Sequence, residues 1–326
     1  MTASKVRIGL YGTNGHQIHH ALVDNRYGEL VAVAAFDPGS LPDKLRSRDS
    51  SIRCFSTLAE LLQDERVELV SLCSPRRRDQ ARDAIQCMKA GKSVYAEKPC
   101  AMSEEDLNRV IAVARQTGRE FHEMAGTAFE QPYLAMRKQV LAGRIGTVVQ
   151  VLAQKSYPYH DGRPQDESVD GGLLLQVGVH ALRMIEHVTG VRVTSIQALD
   201  TQKGNPRRGK LRMAVAMLMR LENGGVATAI ANYLNPRSFG QWGNETLRVF
   251  GTRGFVEAVD GGTRTRLVLA GRDCGPLNLN EPSLSFLDAY LKSLRGKARM
   301  PLSLEDEIHP TRMLLRARKE LIRGGR

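Results

Sequence analysis

The chain has 326 residues, 42% of them apolar and 25% charged, a length at which one core gives way to two and a composition that excludes a disordered or fibrous polypeptide. The net charge is +12, but the cations are dispersed apart from Arg76-Arg77-Arg78 with Arg82, and a carboxy-terminal helix bearing Arg312, Arg316, Arg318, Lys319 and Arg323; such runs read as solvated helix faces, which argues against a nucleic-acid partner and for an anionic small substrate or cofactor phosphate. Five cysteines (Cys54, Cys73, Cys87, Cys100, Cys274) without CxxC spacing or paired histidines exclude a disulfide framework and a metal site, and with no apolar signal core or membrane-length apolar run they point to the cytoplasm and to no membrane partner.

From Lys5 to about Gly126 short apolar strands alternate with helices, a pattern that forces parallel pairing because each crossover carries a helix. Val6–Tyr11 is the first strand, followed by a glycine turn and a helical stretch with Ile18, Ala21 and Leu22 on one face. Val31–Phe36 is the second strand, and Thr57 with Glu60 forms a capping box that opens a helix with Leu58, Leu61 and Leu62 inward. Val67–Cys73 is a strand, Asp79–Ala90 a helix closed by Gly91, Ser93–Ala96 a strand, Ser103–Thr117 a capped helix, and Glu120–Ala125 the closing strand.

Beyond Gly126 strands follow one another as in an antiparallel sheet: Gly146–Tyr157, Val193–Thr201, Leu211–Leu221, Val226–Asn232, Thr246–Phe250, Phe255–Val259 and Thr265–Ala270. Glu222-Asn223-Gly224-Gly225 and Gly251-Thr252-Arg253-Gly254 supply hairpin turns, and helices at Ser283–Leu294 and Leu304–Ile322 end the chain. The expected fold is an α/β doubly wound parallel sheet over residues 1–126, then an α+β domain over 127–326 built on an open, mainly antiparallel sheet. The last helices are candidates to pack back on the first domain.

Three constellations carry chemistry. Gly9-Leu-Tyr-Gly12-Thr-Asn14-Gly15-His16-Gln17 occupies the first strand-to-helix turn, where glycine lets the backbone approach a pyrophosphate and a helix amino terminus supplies N–H donors. Asn14 and Gln17 stand where G-x-G-x-x-G would have glycine, so a merely tight βα turn is the rival reading. Asp37, 25 residues after Gly12, suits an acceptor of adenosine ribose hydroxyls and prefers NAD to NADP, a preference that neighbouring Arg46 and Arg48 would reverse. Ser74-Pro75 and Glu97-Lys98-Pro99 end two further strands on the same sheet edge. Pro99 restrains Lys98, a suitable donor to a substrate hydroxyl, against the plainer reading of a surface Lys beside Glu. Finally, Asp170-Gly-Gly-Leu-Leu-Leu-Gln176-Val-Gly178-Val-His180 begins a helix that places Gln176 and His180 on one face. His180 reads equally as a proton acceptor and as a buried structural histidine, and the other histidines form no metal spacing.

In order, IGLYGTNG, VAVAAFDP, KAGKSVYAEKPCAMSEEDL, LAGRIGTVVQV, DGGLLLQVGVHAL and LRVFGTRGFVE resemble the family of glucose-fructose oxidoreductase, inositol dehydrogenase and MocA proteins. The resemblance implies a dinucleotide-binding domain, NAD or NADP as cofactor, sugar-like or polyol substrates, and a dimer or tetramer formed through the second sheet. It aligns Lys98 and His180 with a substrate-contacting lysine and a catalytic histidine, and Gly12, Asn14, Gly15, Asp37, Ser74, Pro75 and Glu97 with cofactor-contacting positions. With His16, Gln17 and Lys98 these make the expected cofactor site, and Gln176, Lys98 and Arg163 the expected substrate contacts. The chain departs from the family where Gln176 replaces a frequent aspartate, Ala128-Phe129 an Arg-Phe pair, and Arg76-Arg77-Arg78 a histidine-containing loop. The expected activity is hydride transfer between nicotinamide and a secondary alcohol. The alternatives are redox-neutral sugar elimination or glycoside cleavage with the same cofactor, and a non-catalytic nucleotide-sensing protein.

Overall fold

The computed structural model describes residues 4–46 and 51–323. The chain divides into two compact units: 1–124 with 168–170 and 286–304, and 125–167 with 171–285 and 305–326.

The first unit holds strands β1 (Val6–Tyr11), β2 (Gly28–Ala34), β3 (Arg53–Phe55), β4 (Leu69–Leu72), β5 (Ser93–Ala96) and β6 (Phe121–Glu123), all parallel, in the order β3-β2-β1-β4-β5-β6. The order reverses between β1 and β4, and ligands of such sheets bind at the carboxyl ends of the strands at this switch point. Strands β4 and β5 are buried on both faces, as a parallel sheet covered by helices requires. The covering helices are α1 (Asp43–Arg46), α2 (Leu58–Leu62), α3 (Gln80–Lys89) and α4 (Glu104–Thr117). The Thr57/Glu60 capping box is present, Ser103 caps α4, and Gly118 closes it with a left-handed φ of 64°. Tyr290, from a helix spanning Phe286–Ser293, is fully buried and donates its hydroxyl to Val94 O and Glu120 O at 3.2 and 3.0 Å.

The helix expected after the glycine turn is absent: a four-residue 3₁₀ turn, His19–Leu22, stands there. Asn25 ends it by accepting from the backbone N–H groups of Tyr27 and Gly28 at 2.8 and 2.9 Å, which starts β2 three residues earlier than the sequence suggests. Strand β3 was not apparent from the sequence because its three residues are half-buried or exposed and carry no apolar run.

The second unit holds β7 (Val148–Ser156), β8 (Val193–Thr201), β9 (Ala214–Leu221), β10 (Val226–Asn232), β11 (Asn244–Gly251), β12 (Gly254–Val259), β13 (Arg264–Leu269), β14 (Arg272–Asp273) and β15 (Ile322–Arg323). They form one sheet in the order β14-β13-β12-β11-β7-β10-β9-β8-β15, antiparallel except for β7 with β10 and β8 with β15. The final helix ends at Lys319, so Ile322 pairs with Leu199 as a strand. Along β9, Val215, Met217, Met219 and Leu221 are buried while Leu218 is exposed, and Ala227, Ala229 and Ala231 of β10 are buried beside them. A helix over Tyr133–Leu141 has Tyr133, Leu134, Ala135 and Met136 all buried; four consecutive buried residues give no amphipathic period, which is why the sequence does not disclose it.

Candidate active site

At the switch point of the first unit the turn after β1 is closed by a carboxylate from the next strand but one. Glu97 Oε2 accepts the backbone N–H of His16 at 2.7 Å, and both Glu97 oxygens lie 3.2 Å from His16 Nδ1. Gly12 and Gly15 make this possible. At φ 71° a Cβ on Gly12 would sit 2.1 Å from Cys73 O, and at φ 120° one on Gly15 would sit 2.5 Å from Glu97 Cγ. Asn14 replaces a glycine without disrupting the turn, because its amide donates to Pro75 O at 3.3 Å and Val169 O at 2.5 Å. Gln17 is spent within the turn: Nε2 donates to Gly12 O at 2.9 Å, and Oε1 accepts from Ile18 N at 3.0 Å and Ser71 Oγ at 2.5 Å.

Glu97 and Lys98 are each 1% exposed, with Lys98 Nζ 3.7 Å from Glu97 Oε1. Burial raises the Glu97 pKa, but the Lys98 ammonium, the His16 contacts and the Arg77 guanidinium overcome it and hold the carboxyl at about 2. The Glu97 carboxyl therefore stays ionised. A third residue fixes its backbone: Gln80 donates to Glu97 O and, at 3.0 Å, to Pro99 O, while accepting from Ser74 N and Arg77 Nη1. Ser74 Oγ donates to Asp83 Oδ2 at 2.8 Å, and Pro75 is exposed. The cluster Arg76-Arg77-Arg78 is thus not a uniform solvated face. Arg76 and Arg78 are exposed, but Arg77 is 1% exposed and donates to Asn14 O at 2.6 Å. Gln80 and Arg77 escape sequence reasoning because nothing in a polar run tells which member turns inward.

Asp37 lies three residues beyond the end of β2, exposed, and caps a short turn by accepting from Gly39 N at 2.9 Å through Oδ1. Beside it Pro38, Gly39, Leu41, Leu45, Arg46, Ile52 and Cys54 line a recess of about 290 Å³. Arg46 is ion-paired with Asp43, which blunts its attraction for a ribose phosphate. Arg48 lies outside the described residues.

In the second unit Gln176 and His180 do not share one helix. One helix ends at Gln176 and another, Gly178–Thr189, begins after Val177. Val177 N bonds Leu173 O in the α pattern, but His180 N bonds Val177 O, three residues back, at 3.1 Å, so the α ladder is interrupted between Gln176 and His180 and the four-residue spacing no longer defines a common face. His180 Nδ1 is 3.4 Å from Thr127 Oγ1, and its ring meets Tyr157 edge to face at 6.4 Å between centroids. Gln176 Oε1 accepts from Tyr233 OH at 3.4 Å. Arg163 is buried, donates to Pro158 O at 3.0 Å and stacks over Tyr233, 3.6 Å from the ring centroid. Lys155, ion-paired with Glu245, lies 4.9 Å from the Tyr157 centroid. Ala128 and Phe129 are buried. Among the described residues no cluster of three His, Cys, Asp or Glu is placed to hold a metal, and no helix is long and apolar enough to cross a membrane.

A parallel sheet with a glycine turn at its switch point, followed by a separate open sheet, defines the class of two-unit nucleotide-dependent oxidoreductases. Residues 6–124 match an oxidoreductase family with an NAD-binding Rossmann fold, and residues 133–257 match the GFO/IDH/MocA carboxy-terminal domain. The chain belongs to the GFO/IDH/MocA oxidoreductase family, and its cofactor class is NAD. Myo-inositol 2-dehydrogenase of Thermotoga maritima is 25% identical over 303 residues, 89% of this chain and 86% of that protein. Trans-1,2-dihydrobenzene-1,2-diol dehydrogenase of Bos taurus is 29% identical over 163 residues, 50% of this chain and 48% of that one, so the match spans about half of that relative. In fold the chain is similar to aldose-aldose oxidoreductase from Caulobacter crescentus, with TM-score 0.81, 19% identity, and 97% and 98% of the two chains covered. It is likewise similar to levoglucosan dehydrogenase in complex with NADH and levoglucosan, with TM-score 0.79, 15% identity and 97% of each chain covered.

Proposed function

We propose that this chain is an NAD-dependent dehydrogenase acting on a secondary alcohol of a sugar, polyol or related hydroxy compound. The observation that carries this reading is Lys98: a fully buried ammonium just past the end of β5, anchored beside a carboxylate that closes the glycine turn. Relatives named for myo-inositol and for D-glucosides support the substrate class.

The residues present fit a dinucleotide. The Gly12–Gln17 turn is compact and held from below by Glu97, and Asp37 retains Oδ2 for a ribose hydroxyl, its Oδ1 being used by Gly39. Gly12, Asn14, Gly15, His16, Ser74, Pro75 and Glu97 shape this site, Gln17 by bracing the turn rather than by reaching outward. The Gly12–Gln17 turn and Asp37 would hold NAD, and the bound nicotinamide would supply the hydride acceptor for the carbon bearing the reacting hydroxyl. Lys98 donates a hydrogen bond to that oxygen and so favours loss of its proton, which His180 receives. Gln176 cannot ionise and orients the substrate by hydrogen bonds, with Arg163 bracing Tyr233 behind it. On this reading residues 1–126 bind the cofactor and 127–326 the substrate. Titration of the protein with NADH and NADPH, then a screen of sugars and polyols followed by NADH formation, tests it. Binding of neither nucleotide refutes the reading.

The outer face of the second sheet carries a further part of the proposal. Leu199, Leu218, Ile230 and Val226 stand 51, 56, 42 and 40% exposed on adjacent strands. A contiguous apolar face of this kind is a cost to an isolated chain, and a second copy of the same face is its natural cover.

A further inference from the structure

We infer that Trp242 and His160, with Trp242 packed on the buried Tyr157 ring that meets His180, form an aromatic platform that receives the C–H face of a cyclic substrate, so that the enzyme prefers ring-form sugars and cyclitols to open-chain polyols. The inference rests on the dehydrogenase reading above and names its substrate class more narrowly.

Trp242 is the chain's one tryptophan and is 56% exposed. It lies in the loop between β10 and β11, beside the end of β7, since Ser156 pairs with Asn244 on one side and Asn232 on the other. Its ring stands 6.0 Å from Tyr157 and 6.0 Å from His160 between centroids, tilted 38° to each. Tyr157, 9% exposed, in turn meets His180 edge to face, so the exposed tryptophan packs on the buried ring that adjoins the proposed base.

The loop that carries Trp242 is braced. Asn235, 4% exposed, donates to the carbonyls of Gln241 and Trp242 at 3.1 and 3.2 Å, and its own N–H donates to Tyr157 O at 3.1 Å. A buried amide thus ties the exposed tryptophan to the residue that touches His180. The clamp acts on the main chain at Gln241 and Trp242, so the loop backbone that carries the exposed ring is fixed. The ligand is not a cation: burial, then Arg163 and Arg237, hold His160 below its ordinary pKa, and Lys155 and Arg163 lie over Tyr157. A neutral pyranose or cyclohexane polyol fits, because its axial C–H bonds present a flat, weakly positive face to the electron-rich rings while its hydroxyls remain at the edge for polar contacts. An open chain has no such face.

Two readouts test this. In the first, the emission of Trp242 is followed as methyl glucoside and, separately, sorbitol are added to the protein; quenching by the glycoside and not by sorbitol is expected. In the second, steady-state kinetics compare wild type with Trp242→Ala and Trp242→Phe. Trp242→Ala should raise KM for the cyclic substrate about tenfold with a much smaller change in kcat, Trp242→Phe should recover most of it, and the penalty on sorbitol should be smaller. Equal losses on cyclic and open-chain substrates overturn the inference, as does a Trp242 emission that responds to protein dilution but not to sugar, which makes it a subunit contact. If wild type turns over no sugar with NAD, the dehydrogenase reading fails. Selective quenching by methyl glucoside then still upholds the platform, and no quenching overturns it.

Discussion

The backbone N–H of His16 donates to Glu97 Oε2 at 2.7 Å, so the carboxylate that ends β5 is also the floor of the turn that ends β1. Two segments 81 residues apart are thereby locked at one strand edge by a charge-assisted bond, stronger than a neutral one. The same carboxylate is the counter-ion of Lys98. The cofactor turn and the proposed substrate donor therefore share one buried anion.

Replacing Glu97 by Gln removes that anion and leaves Lys98 buried without it, which predicts a loss of about 3 kcal/mol and a weaker grip on NADH. The pH dependence checks the cause. Glu97 is held at about 2 against an ordinary 4.5, a depressed value, so its contribution is complete above 4.5 and disappears as pH falls toward 2. His187 acts in the same direction: burial first, then Arg183, lower it to about 3, so stability is also lost below its ordinary 6.5. The difference in unfolding free energy between wild type and Glu97→Gln isolates the Glu97 part. It should be constant from pH 6 to 5 and shrink below; a constant difference down to pH 3 contradicts the assignment.

Gly12 and Gly91 have similar left-handed φ values, 71° and 79°, but a Cβ on Gly12 would strike Cys73 O whereas one on Gly91 meets nothing within 4 Å. Gly91→Ala should cost about 1 kcal/mol, the strain of φ alone. Gly12→Ala should cost several times more and abolish NADH binding. Denaturant melts of the two variants separate close approach from backbone preference; equal costs would mean the turn yields.

Much of this was legible in the chain. The strand ends at Tyr11, Leu72 and Ala96 follow from apolar runs stopped by glycine, serine-proline and Glu-Lys-Pro, because a buried parallel strand must be continuously apolar. What was not legible depended on direction. Arg77 is buried between two exposed arginines, and Val177 splits a continuous apolar segment into two helices. Neither a charge run nor a periodicity encodes which side chain turns inward when a long-range hydrogen bond such as Arg77 to Asn14 O sets it, or where a helix ladder breaks, as at the three-residue bond from His180 N to Val177 O.

Lys98→Met keeps the length of the side chain and removes the donor. On the proposed mechanism kcat falls by about 100-fold or more, since general acid-base assistance is worth that much, while the NADH dissociation constant moves only a few-fold. Stopped-flow single turnovers with deuterated substrate should show the hydride step itself slowed. Equal losses in nucleotide affinity and turnover would assign Lys98 to cofactor binding instead.

The exposed face of the second sheet gives the last expectation. Leu218 is 56% exposed at the middle of β9, opposite Thr228 on β10 and Gln197 on β8, with Ile230 and Leu199 diagonal to it across Ala216. In an isolated chain Leu218→Asp should change stability by no more than about 0.5 kcal/mol, because a surface position has little packing to lose. In an assembly joined face to face, each introduced carboxylate meets apolar side chains of the second copy and must be desolvated without a partner, a penalty of several kcal/mol at every interface. Light scattering across a dilution series should then find wild type associated and Leu218→Asp at the mass of one chain with its melting curve preserved. A wild type that is monomeric at high concentration refutes the association, and a Leu218→Asp variant that stays associated moves the interface to another surface.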